Sequence, residues 1–175
     1  VDEKNKNLLP VIADGCSCIF IEKQDKNIFH YDFGVDGLSN KSLQITTSNN
    51  QKKLEMDGIK VFEFAIKRVP KSLNEVSKTS KIKIKDIDLI SLHQPNKSIH
   101  DHLIKLLNID EKKTISCFQF GNTSCPSIPI SISSNFGDKM INNKKVLFCG
   151  FGAGFLWSTV ITKLNNTLVS KVYFV

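Results

Sequence analysis

The spacing of hydrophobic and polar positions changes several times along the chain, and each change marks an expected element. Residues 1–14 are mostly polar and read as irregular. Two short β-type runs follow, Cys16–Glu22 and Ile28–Phe33, rich in Ile and Phe and separated by the polar residues 23–27. From Gly34 to Asp57 the chain is dominated by Gly, Ser, Asn and Thr without a sustained period, which predicts a loop. Phe62, Ala65, Ile66, Val69, Leu73 and Val76 then recur at helical spacing, with Glu63, Lys67, Lys71 and Glu75 on other faces. Pro70 lies inside this helix and is expected to kink or split it, because it lacks an N–H and crowds the preceding turn.

Lys81 to Lys85 alternates Lys and Ile as a strand would, and Ile87–Leu92 is a stronger strand that ends at His93. Pro95 stands where a helix begins, and Ile99, Leu103, Leu106 and Leu107 give that helix an apolar face. Thr114–Phe120 reads as a strand leading into Gly121-Asn122-Thr123-Ser124, with an apolar helix following through Ile128–Phe136. Val146–Phe151 and Phe155–Thr162 are strands around a Gly-rich turn, and Lys171–Val175 is a last β-like run. Strands that alternate with helices and finish in a C-terminal β-hairpin predict an α/β class: a mixed β-sheet with helices packed on its faces, in one unit without an internal linker.

Composition narrows the function classes. Apolar residues at 41% and charged residues at 23% exclude a disordered or fibrous chain. The longest apolar stretch, Val146 to Ile161, is too short for a membrane span and is interrupted by Gly150, Gly152 and Gly154. A net charge of +7 and a pI near 9.1 point to an anionic partner or to compositional bias. The lysines are scattered and do not alternate with aromatics, so no nucleic acid is expected and an acidic protein is the favoured partner. The five cysteines are odd in number and spaced for neither zinc nor a redox pair. They are expected to be reduced, mostly buried thiols of a cytoplasmic protein, Cys125 included. His100 and His102 sit two apart on a helix, cannot share an ion, and are expected on a solvated face; no metal site is expected. The chain opens on Val1 with no signal-peptide pattern, which reads as missing upstream sequence.

Three groups of residues with chemical potential lie where strands end, the usual place for sites in α/β sheets. They are His93-Gln94-Pro95-Asn96, Gly121-Asn122-Thr123-Ser124 and Gly150-Phe151-Gly152-Ala153-Gly154. Singly, each has a structural reading: a hydrogen-bonding His, a turn pair and a tight hairpin. The last also lacks the following helix and acidic residue of a dinucleotide fingerprint.

In combination and in this order, HQPN, GNTSCPSIPI and GFGAGFLWS resemble the C-terminal half of a β-ketoacyl-acyl-carrier-protein synthase III, a thiolase-fold condensing enzyme. Ala13-Asp14-Gly15, Met56-Asp57-Gly58 and Asp86-Ile87-Asp88 extend the resemblance from about residue 11 to about residue 162, leaving 163–175 as a C-terminal extension. The resemblance implies that 1–175 is a C-terminal thiolase-like domain with His93 and Asn122 as catalytic residues. The family's nucleophilic cysteine would lie in an N-terminal half absent from this sequence. It further implies an oxyanion-hole N–H at Ala153, substrate contacts at Asn96, Phe151 and Gly152, and carrier-protein docking at Lys97 and Lys105. Two positions depart from the family pattern: Glu63 replaces a basic residue on the long helix, and Ser98 stands where Arg is frequent. The implied activity is decarboxylative condensation of an acyl thioester with malonyl-acyl carrier protein to a 3-oxoacyl product. Acyl-CoA and phosphopantetheine thioesters would be substrates, with no bound cofactor. The implied partners are acyl carrier protein, the N-terminal half and a second copy in a homodimer. The open alternatives are a CoA-thioester condensation of another type and a non-catalytic partner or fragment of the same fold.

Overall fold

A computed structural model describes residues 8, 10–22, 29–48 and 51–174. In chain order its elements are β1 (His30–Val35), β2 (Leu43–Ser48), β3 (Gln51–Met56), α1 (Gly58–Ser80), β4 (Leu89–Leu92), α2 (Lys97–Leu106), α3 (Ser127–Phe136), β5 (Lys139–Ile141), β6 (Lys144–Gly152), β7 (Leu156–Leu164) and β8 (Thr167–Val169). The main sheet runs β1-β7-β6-β4, with β4 parallel to β6 and the other pairs antiparallel. It is therefore the mixed sheet expected, with β6 and β7 as its late hairpin. Two antiparallel ribbons stand beside it, β2 with β3 and β5 with β8.

α1 covers one face of this sheet. Asp57 caps it by accepting from Ile59 N and Lys60 N at 3.2 Å, and Lys81 ends it in the left-handed conformation (φ 58°). The helix continues unbroken through Pro70, so the expected split does not occur. An interior proline costs about 3 kcal/mol. Val61, Ala65 and Val69 are buried before it and Leu73 and Val76 after it. At roughly 1.5–3 kcal/mol for each large apolar side chain, that stripe outweighs the proline. Beneath the helix, Asp32 accepts from Ser72 Oγ (2.5 Å) and Trp157 Nε1 (3.0 Å), and Arg68 stacks on the Trp157 ring at 3.5 Å. Gly34 makes room for that ring, because a Cβ there would lie 2.3 Å from it.

The opposite face is open over β1 and the end of the hairpin. Tyr31, Phe33 and Val35 are exposed, and their cross-strand partners on β7 are Val160, Ser158 and Leu156. Next in register on β6 come Phe148, Gly150 and Gly152. A Cβ at Gly150 or Gly152 would meet nothing within 4 Å. The sheet thus carries an apolar ridge beside a glycine trough.

Several expected elements are corrected. Residues 16–22 form no strand, since nothing among the described residues pairs with them; Phe20 is 94% exposed. The strand expected at 28–33 is β1, two residues later, with residues 23–28 outside the described set. The loop expected from Gly34 to Asp57 contains β2 and β3. Lys81–Lys85 is no strand: the chain reverses at Lys81 and makes a 3-10 turn over Ile84–Asp86. Thr114–Phe120 has a single bridge, Thr114 to Ile90, rather than a ladder. Residues 171–174 of the last β-like run are irregular; the final strand is β8, and Val175 lies outside the described residues.

Candidate active site

β4 delivers His93 to the edge of the hairpin. Its backbone N–H donates to Cys149 C=O at 2.8 Å, and its imidazole meets the Phe151 ring edge-on with centroids 5.2 Å apart. His93 Nδ1 lies 2.7 Å from Ser127 Oγ, in the first turn of α3. Desolvation by the surrounding protein lowers the His93 pKa from 6.5 to about 4, so the ring is neutral at pH 7.

The next residue fixes the loop. Gln94 is buried; its Nε2 donates to Ser131 Oγ and its Oε1 accepts from Cys117 N at 2.7 Å. Ser131 Oγ donates in turn to Ser127 C=O at 2.7 Å. Asn96 then caps α2, accepting from Ile99 N at 2.9 Å.

Asn122 belongs to a turn locked from both sides. Its N–H donates to Val11 C=O (2.8 Å) and its C=O accepts from Ala13 N (2.9 Å). Gly121 has φ +67°, and a Cβ there would press within 3.1 Å of Val11 O, which favours glycine on both counts. Asn122 Oδ1 accepts from Ser124 N at 2.8 Å, and Ser124 C=O accepts from Ser127 N at 3.1 Å. Two bonds therefore connect the Asn122 side chain to Ser127, and a third connects Ser127 to His93.

The glycine-rich segment supplies the other wall. Phe151 is buried against His93, and Gly152 ends β6 in extended backbone. Ala153 is exposed at the start of a 3-10 turn over Ala153–Phe155, anchored by Phe155 stacked on Phe64 at 4.3 Å. Ala153 makes no hydrogen bond to His93 or Asn122.

Lys97 and Lys105 are exposed on α2, eight residues and so about 12 Å apart along the axis. Lys97 pairs with Asp101 and holds that carboxylate below its usual pKa. Burial corrects two other expectations. His100 is buried, edge-on to Phe118 at 5.1 Å, because its side of α2 faces the 114–120 segment; burial lowers its pKa. Cys16, Cys18 and Cys125 are exposed and only Cys149 is buried, where desolvation pushes its thiol up to about 12. Cys125 precedes α3 instead of lying on its packed side. Among the described residues no three His, Cys, Asp or Glu side chains gather for a metal.

Gln94 and Ser127 lie inside the HQPN and GNTSCPSIPI motifs without a role read from them, and Ser131 lies outside both. The available signal was the i,i+4 pair of small polar residues, Ser127 and Ser131, set among Ile128, Ile130 and Ile132 in the first turns of the helix.

Residues 77–164 match the family model described as 3-oxoacyl-[acyl-carrier-protein] synthase III C terminal. The chain belongs to that family. It is 34% identical over 186 residues to the β-ketoacyl-[acyl-carrier-protein] synthase III of Clostridium tetani, an alignment covering 93% of this chain and 55% of that protein. The chain thus spans about half the length of this curated relative. The crystal structure of 3-oxoacyl-(acyl-carrier-protein) synthase from Burkholderia xenovorans superposes with a TM-score of 0.74 at 22% identity, over 82% of this chain and 46% of the other. The synthase III structure from Aquifex aeolicus gives 0.69 at 26% identity, over 81% and 46%. The thiolase-like fold expected from the motifs is the one these neighbours share.

Proposed function

We propose that this family member supplies the His–Asn half of an active site for decarboxylative condensation of malonyl thioester with an acyl thioester. The observation that carries the reading is the neutral, desolvated His93 tied through Ser127 to the Asn122 turn. When the malonyl group loses CO2, its C–C bonding pair moves into an enolate and negative charge grows on the thioester oxygen. Donors already aimed at that oxygen stabilise the transition state without reorganisation. A neutral imidazole can donate from Nε2 only if Nδ1 is the acceptor, and the Ser127 hydroxyl can donate to Nδ1 to fix that tautomer. Asn122 Nδ2 is the second donor; its Oδ1 is already held by Ser124 N.

In this reading the carbanion attacks an acyl group on a cysteine of the N-terminal half, and the cysteine thiolate leaves as the new C–C bond forms. The Ala153 N–H contributes to the oxyanion hole of acyl transfer, where a backbone donor tolerates Ala. Asn96, Phe151 and Gly152 line the path of the phosphopantetheine arm. Lys97 and Lys105 receive an acidic carrier protein, Lys105 foremost since Asp101 already engages Lys97. The open ridge of Tyr31, Phe33 and Val35 with the trough at Gly150 and Gly152 suits a second half packed over the sheet. The complete protein is proposed to be a cytoplasmic homodimer acting on acyl-CoA and carrier-protein thioesters. Among the described residues no helix is long and apolar enough to cross a membrane.

The test is CO2 release from malonyl thioester by the complete enzyme. His93→Ala is expected to abolish it while acyl loading, read by intact mass after incubation with acyl-CoAs, persists. Near-normal CO2 release from His93→Ala refutes the assignment.

A further inference from the structure

The family match ends at Leu164, yet the chain continues through β8 into an irregular tail. That segment folds back along α3. β8 pairs with β5 in the register Lys139↔Val169, Met140↔Leu168 and Ile141↔Thr167, and Asp138 N donates to Val169 C=O at 2.7 Å. Beyond β8 the tail passes the end of α3 so closely that a Cβ on Gly137 would lie 2.8 Å from Lys171 Cα. The tail then spans an open cleft of about 460 Å³, whose lining includes Gln119, Ser133, Asn135 and Val172. It brings the Phe174 ring to 5.7 Å from Phe120, tilted by 58°.

Phe120 is the residue before Gly121-Asn122. The approach to this turn is fastened at two earlier points: Asn135 Nδ2 donates to Ser116 C=O at 3.1 Å, and Gln94 holds Cys117 N. Both fasteners act upstream of Phe120. Between them and the turn, the Phe118 ring packs on His100 and the Phe118 carbonyl accepts from Gly121 N (3.1 Å), while Gln119 and Phe120 have no backbone hydrogen bond among the described residues. Phe174 contacts this stretch at Phe120.

We infer that the segment after Leu164 is a positioning element for the Asn122 turn, acting through the Phe174–Phe120 contact. The inference rests on the proposed role of Asn122. Phe174 is 83% exposed, so its removal leaves the core intact and isolates the contact. An aromatic pair shifts a local equilibrium by a factor of about 2 to 10.

Hydrogen exchange on this chain tests the placement. In Phe174→Ala the amides of Ala13, Gly121 and Asn122 are expected to exchange about fivefold faster, while those around Leu73 in α1 keep their rates. Phe174→Tyr should restore the slow exchange. Equal rates at the turn, or an equal acceleration throughout α1, overturn the inference. In the complete enzyme, Phe174→Ala is expected to lower kcat for malonyl decarboxylation severalfold at unchanged KM and to leave acyl loading untouched. Asn122→Ala separates this claim from the site reading. If Asn122→Ala keeps full decarboxylation while Phe174→Ala still loosens the turn, the catalytic reading fails and the positioning contact stands. If Asn122→Ala abolishes decarboxylation and Phe174→Ala changes neither exchange nor kcat, the positioning inference fails alone.

Discussion

Acidification should destabilise this chain through His93 in a way that can be calculated. The folded-state pKa is about 4, against 6.5 for a free imidazole. Between those values the unfolded chain binds a proton that the folded chain refuses, so stability rises with pH and is lost as pH falls from about 7 towards 4. The full difference, 2.5 units at 1.36 kcal/mol each, is about 3 kcal/mol. Most of it, about 2 kcal/mol, is lost between pH 7 and pH 4.5. His93 keeps part of its surface open, which makes these upper bounds. The assay is urea denaturation at pH 7.0, 5.5 and 4.5 for wild type and for His93→Asn, whose amide keeps a polar group near Ser127. The variant should lose stability more shallowly, by up to about 2 kcal/mol over this range. His100, also lowered by burial, contributes equally to both proteins and cancels in the comparison. Parallel pH dependences for the two proteins would refute the argument that burial keeps His93 neutral.

Three further outcomes follow from particular contacts. Gly34→Ala puts a methyl 2.3 Å from the Trp157 ring and should cost about 1–3 kcal/mol, read as a lower thermal midpoint; an unchanged midpoint would mean that the ring is free to move aside. Gln94→Leu takes the acceptor from the half-buried Cys117 N–H and leaves Ser131 Oγ with only its bond to Ser127 C=O, and should cost about 1–3 kcal/mol by urea denaturation, with equal stability as the contrary result. Thiol labelling at pH 8 should modify Cys16, Cys18 and Cys125 in the native chain and spare Cys149, whose pKa of about 12 and full burial keep it protonated; mass spectrometry of labelled peptides decides this.

Where local pattern and tertiary need agree, the sequence is readable. Val146–Phe151 and Ile87–Leu92 are apolar runs buried in the sheet, and β6 and β4 lie there. Residues 16–22 have the same local pattern and form no strand, because a ladder requires a partner and none of the described residues provides one. The reverse holds for β2 and β3. Thr46, Thr47, Lys52 and Lys53 offer little apolar signal, yet the backbones pair as a ribbon that leaves Ile45 65% exposed. At the site, His93 and Asn122 stand out because their motifs are contiguous. Ser127 and Gln94 sit in the same motifs, but their roles are not legible there, since they come from partners 34 and 37 residues away in sequence. The same reasoning explains the cysteines. Residue type and apolar neighbours in sequence predicted burial for most of them, but burial depends on a packed neighbour, and only Cys149 lies between α1 and the strands on both sides.

β1 forms one margin of the sheet, paired to β7 on one side only. Among the described residues its outer backbone groups have no ladder partner, and Tyr31, Phe33 and Val35 leave a greasy surface next to them. Natural sheets commonly blunt such a margin with a lysine, a proline or a bulge. Among residues 30–35 the sequence His-Tyr-Asp-Phe-Gly-Val contains neither lysine nor proline. Kept without a covering partner at high concentration, the chain has the means to add strands edge to edge. Its colloidal behaviour would therefore turn on this margin, and a lysine placed at Phe33 would be the simplest way to keep it monodisperse.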